Sequence, residues 1–264
     1  MGLFSFNQRS SVPERPSLPG KVRIGQLQGL GDRDSQQDAF VVSGTDCQHT
    51  GMLAMVADGM GGLVNSGQIS AAVAEAVSDA YIPGSDVPAS TQLLALARSA
   101  IQRAAALTKD LTYKSGTTMI ACILQNGGLS WMSIGDSRLC LWRNGGLIQL
   151  NRDHNFVHDL LVLTIGGQMT PEQVFANPRR EALTSCISQE FPRYFDFNQE
   201  PVSLLPGDRV ILMSDGVYRS LTEQELCVAL EQPADKSADL IKRQIEAKSL
   251  PQQDNFTAVI LEIL

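Results

Sequence analysis

The sequence predicts an α+β domain built mainly from antiparallel strands. Strand-like segments, a helix pair, more strands, a second helix pair and a final strand follow each other along the chain, which is not the strand–helix alternation of a parallel sheet. Asn-Gly-Gly turns at Asn126 and Asn144 join consecutive strand-like segments. The length of 264 residues and the apolar fraction of 43% suffice for a substantial core.

The first half of the chain supplies three strands and a helix pair. The strand-like segments are VRIGQLQ, DAFVVSG and MLAMVAD. Apolar residues recur at three- and four-residue spacing over residues 65–81 and 91–109, which predicts two helices separated by Pro83 and Gly84. The short connection indicates an antiparallel pair on one face of a sheet.

The second half returns to strands before the second helix pair. TTMIACIL, GLSWMSIGD and RLCLWRNG are strand-like, and residues 153–198 are irregular, which predicts short helices and loops in a surface excursion of the kind that gates a site. RVILMSD is a predicted strand, residues 221–230 and 237–248 are predicted helices, and FTAVILEIL is the final strand.

Composition limits the partners and the compartment. The net charge of −7 argues against nucleic acid or an anionic membrane as the main partner, so a phosphate site would need arginine or metal ions. No run of 18 apolar residues exists, and we expect no membrane span. Residues 1–20, rich in Pro, Ser and charge, predict a flexible tail. Five cysteines without a CxxC pair favour reduced thiols in the cytoplasm.

Aspartates recur at the ends of the predicted strands. Three strands run into an aspartate and two others open on one: Asp58, Asp136, Asp215, Asp38 and Asp254. Carboxylates fixed in this way suit a hard divalent cation, and a glycine such as Gly59 after the aspartate lets a backbone carbonyl approach it. Asp-Gly is also an ordinary turn pair, and spacing along the chain does not show that these residues meet.

Other catalytic motifs are missing from the sequence. No G-x-S-x-G elbow, P-loop, or cysteine followed six positions later by arginine occurs. His154 and His158 have the i, i+4 spacing of metal ligands on a helix, but no HExxH is present, so we favour a surface or flap helix over a ligand role. Water activated by metal ions remains as the candidate nucleophile.

Six motifs in order carry a family resemblance: GDRDSQQDAF, VADGMGG, SGTTMIACIL, SIGDSRLCLWRNGGLIQLNRDHN, LLPGDRVILMSDGVYRSLTEQEL and QDNFTAVIL. From about residue 21 to 264 the chain resembles the metal-dependent Ser/Thr protein phosphatases of the type 2C (PPM) family, in their compact bacterial branch. The resemblance implies a four-layer α/β/β/α sandwich of two antiparallel sheets flanked by helix pairs. It also implies one catalytic domain, residues 21–264, with a small flap subdomain at about residues 155–198.

The resemblance implies a site with two core Mn²⁺ or Mg²⁺ ions and a third, weaker ion. Asp58 would bridge the core ions, and the Gly59 carbonyl would bind the first. The other implied metal ligands are Asp215 and Asp254 on the second ion, Asp38 through water, and Asp136 on the third ion together with Asp215. Arg33 would clamp the substrate phosphate, because its guanidinium is bidentate and always charged.

The implied activity is hydrolysis of phosphoserine and phosphothreonine in proteins, by attack of a water that bridges the two metal ions. The implied partners are phosphoproteins, including a bacterial Ser/Thr kinase or its targets, and we expect a cytoplasmic monomer. Two other functions stay open: a catalytically silent scaffold that binds phosphoproteins, and another metal-dependent phosphoesterase that acts on a small molecule or nucleic acid, although the acidic charge argues against nucleic acid. Loss of a metal-ligand aspartate would favour the scaffold, and none of those named above is lost.

The chain departs from the family pattern at two places. Gln36 and Gln37 stand where the family usually has Asn followed by Glu or Gln, which predicts weaker metal binding. Met60 stands where animal members have a histidine assigned as general acid, and methionine cannot donate a proton. We assign Thr117 and Thr118 of SGTT to strand packing. Residues 179–180 are an arginine pair that could contact substrate or lie solvated on the surface.

Overall fold

A computed structural model of the chain describes residues 21–44, 50–60, 65–109, 115–188 and 190–264. The predicted tail, residues 1–20, lies outside these ranges, as do Cys47, His49, Gly61 and Gly62. The strands are β1 (Val22–Gly29), β2 (Asp38–Ser43), β3 (Met52–Asp58), β4 (Gly116–Thr117), β5 (Met119–Gln125), β6 (Gly128–Ile134), β7 (Arg138–Arg143), β8 (Gly146–Gln149), β9 (Ile187–Ser188), β10 (Asp196–Phe197), β11 (Val202–Ser203), β12 (Arg209–Met213) and β13 (Phe256–Ile263). The helices are α1 (Ser66–Ala80), α2 (Ala89–Thr108), α3 (Phe156–Ile165), α4 (Pro171–Phe175), α5 (Asp215–Tyr218), α6 (Glu223–Leu230) and α7 (Ala234–Lys248).

Two antiparallel sheets form the centre of the fold. The first sheet has the strand order β1-β13-β12-β7-β8, and the second has the order β10-β6-β5-β3-β2, with β11 also paired to β6. Strands β4 and β9 pair separately. The chain changes sheets several times, among them from β1 to β2, from β6 to β7 and from β11 to β12, so these connections link the two sheets.

Three apolar layers explain why the elements stack as they do. Alternate side chains of both sheets face each other across the sandwich, among them Val56, Leu212 and Val259, which are fully buried. The other face of the second sheet packs on α1 and α2, and the other face of the first sheet packs on α6 and α7. The predicted α+β class and the four-layer α/β/β/α arrangement are therefore confirmed.

Most predicted elements are present with small shifts of their ends. At both predicted hairpins two consecutive residues have positive φ, 50° and 73° at Asn126 and Gly127, and 53° and 81° at Asn144 and Gly145, as a tight primed turn requires. Helix α6 begins two residues later than predicted, because the side chain of Thr222 caps it.

Three features differ from the predictions. Strand β12 ends at Met213, and Asp215 is the first residue of helix α5 rather than the end of the strand. Helix α7 begins three residues before the predicted start. The irregular stretch contains the short helices α3 and α4 as expected, but its last part forms β10 and joins the second sheet beside β6.

Within the described residues, no helix has the length and apolar character that a membrane span requires. The four described cysteines, Cys122, Cys140, Cys186 and Cys227, are free thiols. Burial raises the pKa of the Cys122 and Cys140 thiols to about 12, so neither is a reactive thiolate near neutral pH.

Candidate active site

Both sheets contribute an aspartate-bearing end to one edge of the sandwich. Asp38 opens β2 and lies directly opposite Asp58, the last residue of β3, because the two strands pair antiparallel in that register. Asp215 follows β12, and Asp254 precedes β13, in the other sheet. Asp136 lies in the loop from β6 to β7. The structure therefore brings together the five aspartates that the sequence places at strand ends.

The carboxylates of this cluster repel each other. Burial raises the pKa of Asp58 well above its ordinary value, and the charges of Asp38, Asp215, Asp136 and Asp254 raise it further. Burial also raises the pKa of Asp38 to about 7, against hydrogen bonds from hydroxyl groups that lower it. Such a cluster holds excess negative charge in a poorly solvated place, and a bound cation would relieve it.

Asp136 and Asp215 form a second part of the cluster. Burial raises the pKa of Asp136 to about 7, and the charge of Asp215 adds to the rise, while the guanidinium of Arg219 opposes it. The pKa of Asp215 is also raised by burial, again against Arg219. The Asp58 side chain also influences the pKa of Asp215, which puts the two parts of the cluster side by side.

The main chain of Asp58 is held by two threonines. The Asp58 N–H donates to Thr118 Oγ1 over 2.9 Å, and the Asp58 carbonyl accepts from the Thr118 N–H over 2.8 Å and from Thr117 Oγ1 over 2.9 Å. These threonines therefore position Asp58, a more specific role than the predicted strand packing. Gly59 continues this backbone, and a side chain there would place Cβ 2.6 Å from the Gln37 carbonyl oxygen.

Hydroxyl and amide side chains hold the neighbouring loops. Ser214 Oγ, fully buried, donates to Asp38 Oδ2 over 2.8 Å and accepts from the Thr257 N–H over 2.9 Å. Asn255 Oδ1 accepts from the Gln37 N–H over 2.8 Å. Gln36 Oε1 accepts from the Asp38 N–H over 2.9 Å, so this unusual residue shapes the backbone that leads into β2.

Two arginines pair with the cluster. Arg33 Nη2 lies 2.8 Å from Asp254 Oδ2, with both side chains about one-third exposed, so the residue predicted to hold phosphate stands beside a predicted metal ligand. Arg219 Nη1 lies 3.2 Å from Asp215 Oδ2, and its Nη2 lies 3.7 Å from Asp136 Oδ2. Arg219, Ser214 and Asn255 were not predicted, although the i, i+4 spacing of Asp215 and Arg219 was a readable signal.

The donor set fits hard divalent cations, although the side chains are not turned onto a single point. Among the described residues, no group of three or more Asp, Glu, His or Cys side chains already forms a metal-binding arrangement. The aspartates are paired with Arg33, Arg219 and one another instead. Their burial and mutual repulsion nevertheless mark a place where positive charge is favourable, and carboxylate oxygens are the ligands that Mg²⁺ and Mn²⁺ prefer.

The other candidate residues have structural or surface positions. His154 is not on α3, and its Nδ1 accepts from the Gly135 N–H over 3.0 Å; burial lowers its pKa, which keeps the ring neutral for that role. The spacing of His154 and His158 therefore reflects no shared helix. Arg180 pairs with the adjacent Glu181, and Arg179 lies 5.9 Å from the Phe156 ring.

Buried carboxylates at the meeting edge of two antiparallel sheets form a class of site whose oxygen donors suit hard divalent cations. The family model described as protein phosphatase 2C matches residues 30–253, and the chain belongs to this family. The serine/threonine protein phosphatase PstP of Mycobacterium tuberculosis is 30% identical over 223 residues, which are 80% of this chain and 40% of PstP. The chain thus spans less than half the length of that relative.

Solved structures share the fold. A PPM Ser-Thr phosphatase of Mycobacterium smegmatis, solved with cacodylate, has a TM-score of 0.75 at 25% identity and covers 93% of this chain and 100% of its own. The catalytic domain of PstP, solved with two manganese ions, has a TM-score of 0.71 at 24% identity and covers 92% of this chain and 99% of its own. The similar proteins therefore include named serine/threonine phosphatases and a domain solved with manganese ions.

Proposed function

We propose that this chain is a Mn²⁺- or Mg²⁺-dependent protein-serine/threonine phosphatase. The observation that carries the proposal is the convergence of five aspartates from both sheets on one edge, where burial raises the pKa of Asp38, Asp58 and Asp136 and the charges of neighbouring carboxylates add to the rise. Family membership and the relatives named as phosphatases support the same reaction. The PstP catalytic domain with two manganese ions supports the choice of metal.

The aspartates would hold the ions. Asp58, with the Gly59 carbonyl, would serve two ions; its position opposite Asp38 and its interaction with Asp215 support this role. Asp254 completes the core set, and a further ion would bind at Asp136 together with Asp215. Bound divalent ions supply positive charge and an activated water for phosphoester hydrolysis.

Arg33 would bind the phosphate of the substrate. Its side chain is 38% exposed, and the guanidinium holds Asp254 through one nitrogen, which leaves other N–H donors to turn toward a ligand. A charged fork of this kind stabilises negative charge on the phosphoryl oxygens during transfer. Arg33 thus orients the phosphate beside the carboxylate edge.

A cavity of about 510 Å³ lies beside the site and would receive the protein segment around the phosphorylated residue. It is lined by Arg219 and Tyr218 next to the aspartates, and by Arg152, His158 and Leu161 farther out. The outer residues belong to α3 and the loop before it. The flap proposed at residues 155–198 therefore forms one wall of the cavity.

Position 60 supplies no proton for the leaving seryl or threonyl oxygen. Met60 carries no ionisable group, and its N–H is bound to the Gly116 carbonyl over 3.0 Å. Within the described part of the cluster no histidine is present to take its place, since His154 is held by Gly135. The leaving group must receive its proton from solvent at the site.

Hydrolysis of a phosphothreonine peptide and of p-nitrophenyl phosphate tests the proposal. We expect activity with Mn²⁺, loss of activity with EDTA, and recovery when Mn²⁺ is restored. Asp215→Asn should lower kcat/KM by at least about 100-fold, because it removes a ligand charge. Asp86→Asn, in an exposed loop between α1 and α2, serves as the matched control. Activity that persists in EDTA would reject the metal-dependent reaction.

Binding and hydrolysis assays with the same phosphopeptide distinguish the two alternative functions. A silent scaffold would bind the phosphopeptide tightly in Mn²⁺ without releasing phosphate. A small-molecule phosphoesterase would prefer a nucleotide or sugar phosphate over the phosphopeptide in kcat/KM. Retention of all five aspartates at one edge favours catalysis over the scaffold.

The biological setting is part of the proposal. We infer a single catalytic domain from residue 21 to 264, acting as a cytoplasmic monomer on phosphoproteins that include a Ser/Thr kinase or its targets. The named relatives are bacterial, which supports a bacterial kinase as the opposing activity. Phosphoproteomics of strains lacking the phosphatase or the kinase would test this: the same phosphosites should change in opposite directions.

A further inference from the structure

Arg219 is in contact with three carboxylates from three separate parts of the chain. Its guanidinium lies 3.2 Å from Asp215 Oδ2, 3.7 Å from Asp136 Oδ2 and 3.7 Å from Glu181 Oε2. The side chains of Asp136 and Asp215 are only 5% and 15% exposed, whereas Glu181 is 47% exposed. Arg219 therefore connects the buried cluster to the flap.

Contacts of its own backbone and of the preceding residue hold Arg219 in this position. Its N–H donates to the Asp215 carbonyl over 2.9 Å at the end of α5. The preceding residue, Tyr218, donates from its hydroxyl to the Asp136 carbonyl over 3.2 Å, and the Arg138 guanidinium lies 3.6 Å from the Tyr218 ring centroid. The backbone that carries Arg219 is thus fixed against the same loop that carries Asp136.

A guanidinium at this place offsets the same negative charge of Asp136 and Asp215 that a metal ion would offset. Both are attracted by the negative charge that Asp136 and Asp215 share, and the Arg219 guanidinium already lies within 3.7 Å of a carboxylate oxygen of each. An ion bound by these two carboxylates would lie close to the guanidinium, and the two cations would repel each other. Binding of one therefore opposes binding of the other.

We propose that Arg219 is a built-in cation of the site. Its guanidinium occupies the Asp136–Asp215 side of the cluster, competes there with an additional divalent ion, and ties that side to the flap through Glu181. This inference rests on the proposed function in one respect, that the cluster binds divalent ions. It makes Arg219 a positioning residue, which acts through the carboxylates and the flap.

Mn²⁺ titration of the full chain tests the competition. By isothermal titration calorimetry, Arg219→Gln should gain one Mn²⁺ equivalent or bind its weakest Mn²⁺ at least about tenfold more tightly, as expected when a coupled ligand is removed. Arg219→Lys keeps the charge and should stay closer to the wild type. The matched control is Arg103→Gln, which breaks an exposed ion pair with Glu75 on the helix layer and should change nothing.

Thermal unfolding gives a second readout that does not depend on activity. In EDTA, Arg219→Gln should unfold at a lower temperature than the wild type, because Asp136 and Asp215 lose their partner. Added Mn²⁺ should then raise its unfolding temperature more than it raises that of the wild type. A variant that failed to fold would show no cooperative transition in Mn²⁺, and Arg219→Lys would then carry the comparison, with an intermediate gain in affinity expected.

Glu181→Gln tests the link to the flap. Hydrogen exchange of residues 156–188 should become faster, and weak-site Mn²⁺ affinity should rise by a smaller factor than in Arg219→Gln, because the arginine stays but loses its tether. Unchanged exchange would remove the flap from the proposal. Equal Mn²⁺ number and affinity in the wild type and Arg219→Gln would overturn the competition itself.

The two proposals fail separately. If the wild type binds Mn²⁺ and the Arg219 variants behave as expected, but no phosphopeptide is hydrolysed, the proposed function fails and the competition stands. If phosphopeptide hydrolysis requires Mn²⁺ and Arg219→Gln does not differ from the wild type in metal binding, the function stands and the competition is overturned.

Discussion

Replacing Asp38 by asparagine is expected to stabilise the metal-free protein at alkaline pH. Asp38 is 6% exposed, and burial together with the charges of Asp215 and Asp254 raises its pKa from 3.8 to about 7. Asparagine has nearly the same shape and retains an oxygen that can accept from Ser214 Oγ. The substitution therefore removes the charge and leaves the packing intact.

The magnitude and the sign follow from the pKa. Below pH 3.8 Asp38 is protonated in the folded and unfolded states and has no effect on stability. Above that pH the folded state retains its proton longer, so stability falls as pH rises, and the full loss is present above pH of about 7. One pKa unit corresponds to about 1.4 kcal/mol, so ionised Asp38 destabilises the fold by up to about 4 kcal/mol.

Thermal unfolding in EDTA at pH 5 and pH 8 measures the effect. For a chain of this size about 1 kcal/mol shifts Tm by about 2–4 °C, so Asp38→Asn should raise Tm at pH 8 by about 8–16 °C and by less at pH 5. In Mn²⁺ the Tm difference between Asp38→Asn and the wild type should become smaller or change sign, because ions bind the ionised carboxylate of the wild type. Asp86→Asn in an exposed loop is the control. Equal Tm values for Asp38→Asn and wild type at pH 8 in EDTA would refute the electrostatic reasoning.

Three further substitutions test the geometry of the site. Gly216→Ala would place Cβ 2.0 Å from the Asn255 carbonyl oxygen, so α5 must shift; we expect about 1–3 kcal/mol of destabilisation in urea unfolding, and an unchanged stability would contradict it. Thr118→Val removes the acceptor of the Asp58 N–H and should destabilise the fold by about 1–3 kcal/mol in the same assay. Because the threonine positions a proposed metal ligand, the loss in Mn²⁺ binding free energy should exceed the loss in unfolding free energy, and a smaller loss would contradict this role. Arg33→Lys keeps the charge and loses the fork, so KM for a phosphothreonine peptide should rise by about tenfold; an unchanged KM would separate Arg33 from phosphate binding.

The sequence was most informative where local chemistry determines structure. The period of the apolar residues located α1 and α2 within two residues, and the Asn-Gly pairs located both hairpins, because few residues tolerate two successive positive φ values. The aspartates could be assigned to strand ends for the same reason, because local sequence shows where an apolar strand stops. Whether those ends meet depends on how the sheets stack, which spacing does not contain.

The missing parts of the site depend on contacts between distant segments. Arg219 could be paired with Asp215 from the helical spacing, but its contact with Glu181 requires the position of the flap. The buried Ser214 was readable only as part of a strand, because its bond to Asp38 joins the two sheets. His154 misled through its spacing, since helix α3 begins two residues after it.

The division of the aspartates between the two sheets has a kinetic consequence. Asp38 and Asp58 come from one sheet, and Asp215 and Asp254 flank strands of the other, so a complete binding site exists only after the apolar inner faces have docked. A partly folded chain, in which the sheets have not yet packed together, has no complete binding site for divalent ions, so the ions do not speed folding. Mn²⁺ should therefore leave the refolding rate nearly unchanged and slow unfolding, because the ions bind only after the two sheets have packed together.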